Sequence, residues 1–430
     1  MKAQYHDIQF NLDQILQEEL PYTRAFYSDG EELKQDIKDL FSFPSANSSN
    51  MPVYTLSLAE CQNIGETFEE AYAMLVDAVA IAFKRRSDIV KFWDCELIRN
   101  HPYFIDYAIH TFRPENRKPA MYGRFDASFD PVSGKVVGLY EFNGDTPVML
   151  FESVHLQDRI TKAITGNHSA QFNEYWAKMD YYLRNAKLGY SAVVFDQNYI
   201  EDTATCETLA QLMGQNSPCM FVDFADLDFD MIEKAYPWVI NDTHLDTVFV
   251  LSPWEEMVAN FSYAFENWQD WANNVHLMEP AWRWFLSHKG VWAYVTHLME
   301  TDTDFKMRYG HLPVLETRLT ESEFVKSGRK FVSKPVIGRL SSNVTIHNAD
   351  GSPEFEAGGF YPYTERVYQE YCEPGHVDGR NNFILCMWMA PTPNEWNGNP
   401  RAECGTLCIR EFDDAVLSLA NERFIPHLIV

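Results

Sequence analysis

The sequence has 430 residues, is 46% hydrophobic and 15% aromatic, and carries a formal net charge of −27. That length and apolar content describe a folded chain with a sizeable core and more than one lobe, not a disordered one. The acidic balance argues against sequence-independent nucleic-acid binding, which needs a basic footprint, and no apolar run is long enough to span a bilayer.

Residues Met1 to Asp7 lack the apolar core of a signal peptide, so a soluble cytoplasmic protein is expected. The first hundred residues read as mostly helical. Phe68, Tyr72, Leu75, Val76, Val79 and Phe83 recur at helical spacing and predict one apolar stripe over 68–83, which is core far more often than site. Residues 42–52, rich in Ser, Asn and Pro, read as a loop, and 101–118 as an irregular approach to a hairpin.

Residues 121–129 and 135–143 read as the strands of that hairpin, flanking a turn, Asp130-Pro131-Val132-Ser133-Gly134. Side chains alternate faces in a strand, so Arg124 and Asp126 share a face, as do Glu141 and Asn143. Folding about the turn centre puts Arg124 opposite Glu141, with Asp126 and Asn143 diagonal to them. Oxygen donors beside an arginine suit a hard cation carrying phosphate, Mg²⁺. The plainer alternative is a cross-strand salt bridge on a solvated face, and residue types alone favour it.

Beyond the hairpin, Thr146 and Pro147 read as the cap and first residue of a helix running to about Ile164. A strand is expected at 192–195, a helix from Glu201 to Leu212 ending at Gly214, and a strand at 247–251. Two or three helices fill 255–300. Strands are then expected at 330–337, 343–347, 383–389 and 406–411, with a turn at Asn348 to Gly351 and a loop over 391–400. The eight cysteines show no zinc or disulfide spacing, so buried reduced thiols are expected.

There is no P-loop, no dinucleotide-binding glycine triplet, no paired-histidine zinc-peptidase motif and no nucleophile-elbow serine. Besides the hairpin, there remains a set of cations at strand ends and beside them: Lys289, Lys334, Arg339 and Arg410. Each alone is usually a solvated charge. Together they suit phosphate neutralisation, lysines as point charges and arginines as forked donors.

The ordered motifs Y-G-R-F-D, E-F-N-G-D-T-P, S-P-W-E, E-P-A-W with L-S-H-K, S-K-P-V-I-G-R, V-Y-Q-E-Y and C-I-R-E resemble the glutathionylspermidine synthase family. The resemblance runs from about residue 120 to the C-terminus. It implies an α+β, ATP-grasp-type fold with antiparallel sheets and accessory α/β lobes. Within one unit over 1–430, it implies a mainly helical part at 1–118, a metal and acid-substrate region at 119–270, and an ATP-clasping β-rich part at 271–430.

The implied chemistry is carboxylate–amine ligation through an acyl phosphate, with ATP and Mg²⁺ as cofactors. The implied partners are a peptide or other small acid and an amine, with no nucleic acid and no membrane. Carried over motif by motif, the metal ligands match Asp126, Glu141 and Asn143, and the phosphate-side arginine matches Arg124. The ATP-contacting lysines match Lys289 and Lys334. Gln369 matches the partner of the adenine edge, with Glu370 and Tyr371 beside it. Arg339 matches the mobile-loop arginine over the transferring phosphoryl, and Arg410 the arginine facing the acid. Thr146, Glu201 and Asp202 match the positions holding the acid and the amine.

The chain departs from the family pattern in places. The loop that usually reads R-E-G-A-N-V is here Arg339 to Val344, R-L-S-S-N-V, so Ser341 stands where a glycine would free the backbone. Val148 replaces a hydroxyl residue, and Ser252 a tyrosine. No Cys/His pair suggests the amidase unit of bifunctional members. The altered loop leaves a second expectation open, an ATP-binding protein that has lost turnover and acts through partners.

Overall fold

In the computed structural model the described residues are 1–8, 11–27, 31–40, 50–117, 119–339, 341–359, 361, 365–392, 399–418 and 421–430. The expected loops at 42–52 and 391–400 lie mostly outside them. Two antiparallel sheets dominate. One runs Glu422–Phe424, Ala402–Phe412, Asn382–Pro391, Arg124–Asp130 and Lys135–Asn143 in spatial order, with Gly375–His376 beside the third of these. The other runs Thr317–Arg318, Arg366–Glu370, Phe331–Pro335, Thr345–His347 and Pro353–Glu356.

A third sheet is wholly parallel, in the order His276–Met278, Thr247–Val250, Ser191–Phe195 and Cys219–Asp223. Its central strands are apolar runs buried on both faces, and the helix Ile200–Gly214 crosses between two strands of the sheet. The α+β class is as expected. The His276–Met278 strand interrupts a region expected to be helical throughout. A small sheet of Lys2–His6, Met51–Leu56 and His427–Ile429 ties the two chain ends together.

The helix Leu58–Lys84 extends the predicted stripe in both directions. Ser57 accepts from the Glu60 N–H while Glu60 accepts from the Ser57 N–H, a reciprocal cap that fixes its start. Its buried face backs the hairpin, with Phe68 5.3 Å from Phe125 and Tyr72 5.6 Å from Phe142, centroid to centroid. Alternation then turns Asp126 and Glu141 to the opposite face. Among the described residues no helix is long and apolar enough to cross a membrane.

Three expectations change. Tyr103–Phe112 is a helix, not irregular chain, because Phe104, Tyr107 and Ala108 bury one side of it. Thr146 caps nothing: the helix begins at Leu150, where the Thr205 hydroxyl accepts from the Met149 and Leu150 N–H groups at 3.1 and 3.4 Å. Met149 reaches that entry with φ 76, and a π-helical turn at Glu152–Leu156 precedes the α-helix Gln157–Thr165.

The hairpin register also differs. Asp126 pairs with Glu141, and Arg124 with Asn143. The pairing shifts between Asp126 and Ala127 and again between Ser128 and Phe129. Each bulge adds one residue to the second strand, so two together slide the pairing by two and keep Arg124, Asp126, Glu141 and Asn143 on one face, while the first bulge lets the adjacent Tyr140 and Glu141 both reach the cleft.

Candidate active site

Between the two antiparallel sheets lies a cleft of about 890 Å³, solvent at its mouth included. That is within the usual range for a small-molecule or cofactor site, roughly 300–1,000 Å³. One wall carries Asp126, Tyr140 and Glu141 from the hairpin; the other carries Lys334, Gln369 and Glu370, and Lys289 enters from the start of a helix. Val332 and Ile346 from one sheet, with Ile384, Phe412 and Leu417 from the other side, add apolar lining. Seven of the expected residues thus line one space: Asp126, Glu141, Lys289, Lys334, Gln369, Glu370 and Tyr371.

Asp126 is buried, with Arg124 Nε 3.0 Å from its Oδ1 and Arg410 3.7 Å from its Oδ2. Burial alone would raise its pKa, but the two guanidiniums hold it below the usual carboxylate range. Glu141, directly across the strand pair, is a third exposed and pairs with Lys289 at 3.4 Å. Asn143 shares this face, but its Oδ1 accepts from the Asp145 and Thr146 N–H groups at 3.3 and 3.1 Å and so shapes the turn.

Among the described residues no group of three His, Cys, Asp or Glu side chains is arranged to hold a metal. Two carboxylates facing a cleft lined with lysines nevertheless fit Mg²⁺ arriving with a nucleotide. That ion is usually held by one or two carboxylates plus phosphates rather than by an all-protein cage.

Lys334 donates to Gln369 Oε1 at 2.8 Å and lies 3.4 Å from the Tyr140 carbonyl, both neutral acceptors. Burial pushes its pKa down to about 8, against the pull of Glu141. Gln369 is itself buried: its amide nitrogen donates to Tyr140 O and Thr317 Oγ1, both at 3.3 Å. Its side chain therefore orients Lys334, and Glu370 and Tyr371 carry the cleft wall onward. Lys289 is fixed by the Gly338 carbonyl at 2.8 Å.

The remaining residues stand apart from the cleft. Arg410 is buried and held by Glu422 at 2.6 Å, so it acts behind Asp126. Arg124 also donates to the Val148 carbonyl at 2.8 Å. Arg339 is held by other partners, with Nε 2.8 Å from Thr146 Oγ1, Nη1 2.9 Å from Glu255 and Nη2 3.4 Å from Asp145. Glu201 and Asp202 occupy the first turn of the Ile200–Gly214 helix. Burial, with Glu201 and Asp196 nearby, pushes the Asp202 pKa up to about 7, and Arg339 opposes it.

Sequence reasoning passed over four residues that this geometry makes prominent: Asp145, Glu255, Glu279 and Arg283. The Glu279–Arg283 pair is buried, 3.0 Å apart. Glu279 accepts from the Met121 and Tyr122 N–H groups at the hairpin entry, at 2.7 and 3.1 Å. Arg283 donates to the Gly144 carbonyl at the exit, at 3.1 Å. Asp145, Glu255 and Glu279 lie within the ordered motifs, and Arg283 comes directly after E-P-A-W, but their contacts span long sequence separations that no local pattern reveals.

A family model described as glutathionylspermidine synthase preATP-grasp matches residues 39–430. A Haemophilus influenzae protein provisionally named an acid–amine ligase is 27% identical over 411 residues, covering 91% of this chain and 94% of its own. Trypanothione synthetase of Crithidia fasciculata is 22% identical over 283 residues, 60% of this chain but only 41% of that protein. A solved glutathione synthetase-like effector from Globodera pallida gives a TM-score of 0.49 at 13% identity, covering 93% of this chain and 96% of that one.

Proposed function

We infer the activity from one premise: the chain belongs to the glutathionylspermidine synthase preATP-grasp family, which it matches over residues 39–430. On that premise we propose an ATP-dependent acid–amine ligase, joining the carboxylate of a peptide or glutathione-like acid to a polyamine or other amino-group acceptor. The names of the two relatives support amide-bond formation. The observation that carries the nucleotide half is the convergence of Asp126, Glu141, Lys289 and Lys334 on one cleft between two antiparallel sheets.

In the proposed reaction the acid's carboxylate oxygen takes the γ-phosphoryl of ATP, and ADP leaves. The amine nitrogen then attacks the acyl carbon; phosphate departs, the amine loses a proton and the amide remains. Such chemistry asks the protein for positioning and charge stabilisation rather than covalent work. Asp126 and Glu141 would hold Mg²⁺, which supplies charge neutralisation on the phosphates.

Lys334 and Lys289 would meet the phosphates as point charges from separate elements, and Glu370 and Tyr371 would flank the base. Arg124 and Arg410 keep Asp126 ionised from behind. Asn143 holds the turn that presents Thr146, which together with Glu201 and Asp202 would receive the acid and the amine. Arg339 would cover the transferring phosphoryl.

The test is direct. Protein incubated with Mg-ATP and a panel of thiol-peptide acids and polyamines is expected to release ADP and phosphate above the ATP-only background. Release from no acid–amine pair overturns the ligase reading. ATP binding without turnover would then favour a nucleotide-binding protein acting through partners.

A further inference from the structure

Arg339 joins three parts of the molecule that are far apart in sequence. It leaves the loop after Phe331–Pro335, meets Asp145 and Thr146 at the hairpin exit, and meets Glu255 beyond the carboxyl end of the parallel strand Thr247–Val250. Asp145 is 3% exposed and Glu255 13%, so their two negative charges share one guanidinium in a largely desolvated place. Removing one partner from such a group is strongly unfavourable, because the remaining charge is left buried and unpaired. Arg339 therefore cannot leave for the nucleotide cleft unless another cation takes its position.

A narrow crevice beside Asp145 is lined by Ser252, Trp254 and Glu279 at the carboxyl ends of two parallel strands, so a new cation would have to take the place that the guanidinium vacates. Crevices at the carboxyl ends of parallel strands are the usual ligand positions in such sheets. Glu279 is 2% exposed there, and its Oε2 is ion-paired with Arg283 at 3.0 Å. Asp202 and Glu256 stand near Arg339 from the neighbouring elements; burial pushes both pKa values up, that of Asp202 to about 7, and Arg339 opposes the rise in each. Trp254 adds an aromatic wall that suits an alkylammonium.

We propose that Asp145 and Glu255 form a cation-exchange site, filled by the Arg339 guanidinium at rest and by the protonated amine when it binds. This rests on the ligase reading for its purpose, but not for its physics. Amine entry would compensate the two carboxylates and release Arg339. Binding in one place and phosphoryl clamping in another are then coupled through a single displaced ion pair, and the coupling is reciprocal. Asp145 and Glu255 are positioning residues for Arg339 and binding residues for the amine.

Calorimetry without ATP tests this with two probes, spermidine and methylguanidine, on wild type, Arg339→Ala and the double variant Arg339→Ala/Glu255→Gln. Vacating the site is expected to tighten binding of both probes by about tenfold or more, and the double variant is expected to lose that gain. Unchanged or weaker binding by folded Arg339→Ala overturns the proposal, because a mere strut would give that result. Should the variants not fold, hydrogen exchange on wild type decides. Spermidine is expected to speed exchange on both sides of Arg339, and slowed or unchanged exchange overturns the proposal. Neither readout involves turnover, so a failed ligase assay and a failed exchange site are separate results.

Discussion

Lys334 shows how much one side chain can decide. Its ammonium meets only neutral oxygens, from Gln369 and Tyr140, in a buried cleft that brings its pKa to about 8. A phosphate would supply the missing counter-charge, and only the protonated form attracts it. ATP affinity measured by calorimetry is therefore expected to fall as pH rises through about 8, and Lys334→Met to weaken binding by roughly tenfold and flatten that dependence. Affinity that is constant across this range contradicts the assignment.

The two hairpin acids should separate. Glu141→Gln is expected to weaken Mg-ATP binding with little loss of stability, since Glu141 is a third exposed. Asp126→Asn should weaken binding and also lower the melting temperature, because it leaves Arg124 and Arg410 buried against a neutral group. A binding titration beside a thermal melt on each variant checks both outcomes. That these acids share one face was legible in the sequence because alternation fixes faces. Which of them line the cleft was not, since the second wall comes from strands some two hundred residues away.

At the level of elements, strands and the longest helix were largely readable, and the entries to elements were not. The helix after the hairpin carried an N-cap signature at Thr146, yet its first N–H groups are satisfied by Thr205, a residue 55 positions beyond Leu150. Thr205→Val is expected to cost about 1–3 kcal/mol, the desolvation of donors left unpaired, as read from denaturant unfolding. The register slipped for a related reason: bulges are backbone events, and the turn composition counts residues without showing where a strand gains one.

The loop after Phe331–Pro335 gives the reverse case. A glycine lost from the family pattern pointed to Ser341, and Ser341 does sit in the left-handed region at φ 53. Ser341→Gly should relieve that conformation while adding freedom to the unfolded chain, two effects of about 1 kcal/mol and opposite sign, so the melting temperature is expected to change little. The more telling readout is proteolysis of the segment, which should quicken if Ser341 stiffens it; unchanged cleavage would place the stiffness elsewhere.

Across the whole molecule, the buried Glu279–Arg283 pair fastens the hairpin at both ends to the chain just beyond the parallel sheet. The cleft between the antiparallel sheets and the Asp145–Arg339–Glu255 cluster both draw residues from this hairpin and its exit. Several of the ordered motifs that carry the family resemblance contribute residues to the cleft, among them Asp126, Glu141, Lys289, Lys334 and Gln369. What no motif could convey is the resting geometry, in which the expected phosphoryl clamp is bound to carboxylates instead. The most direct measurement of the central claim tracks an oxygen atom. With an acid substrate labelled with ¹⁸O in its carboxylate, Mg-ATP and an amine, one labelled oxygen is expected in each phosphate released. Unlabelled phosphate, or none from any acid–amine pair, would contradict it.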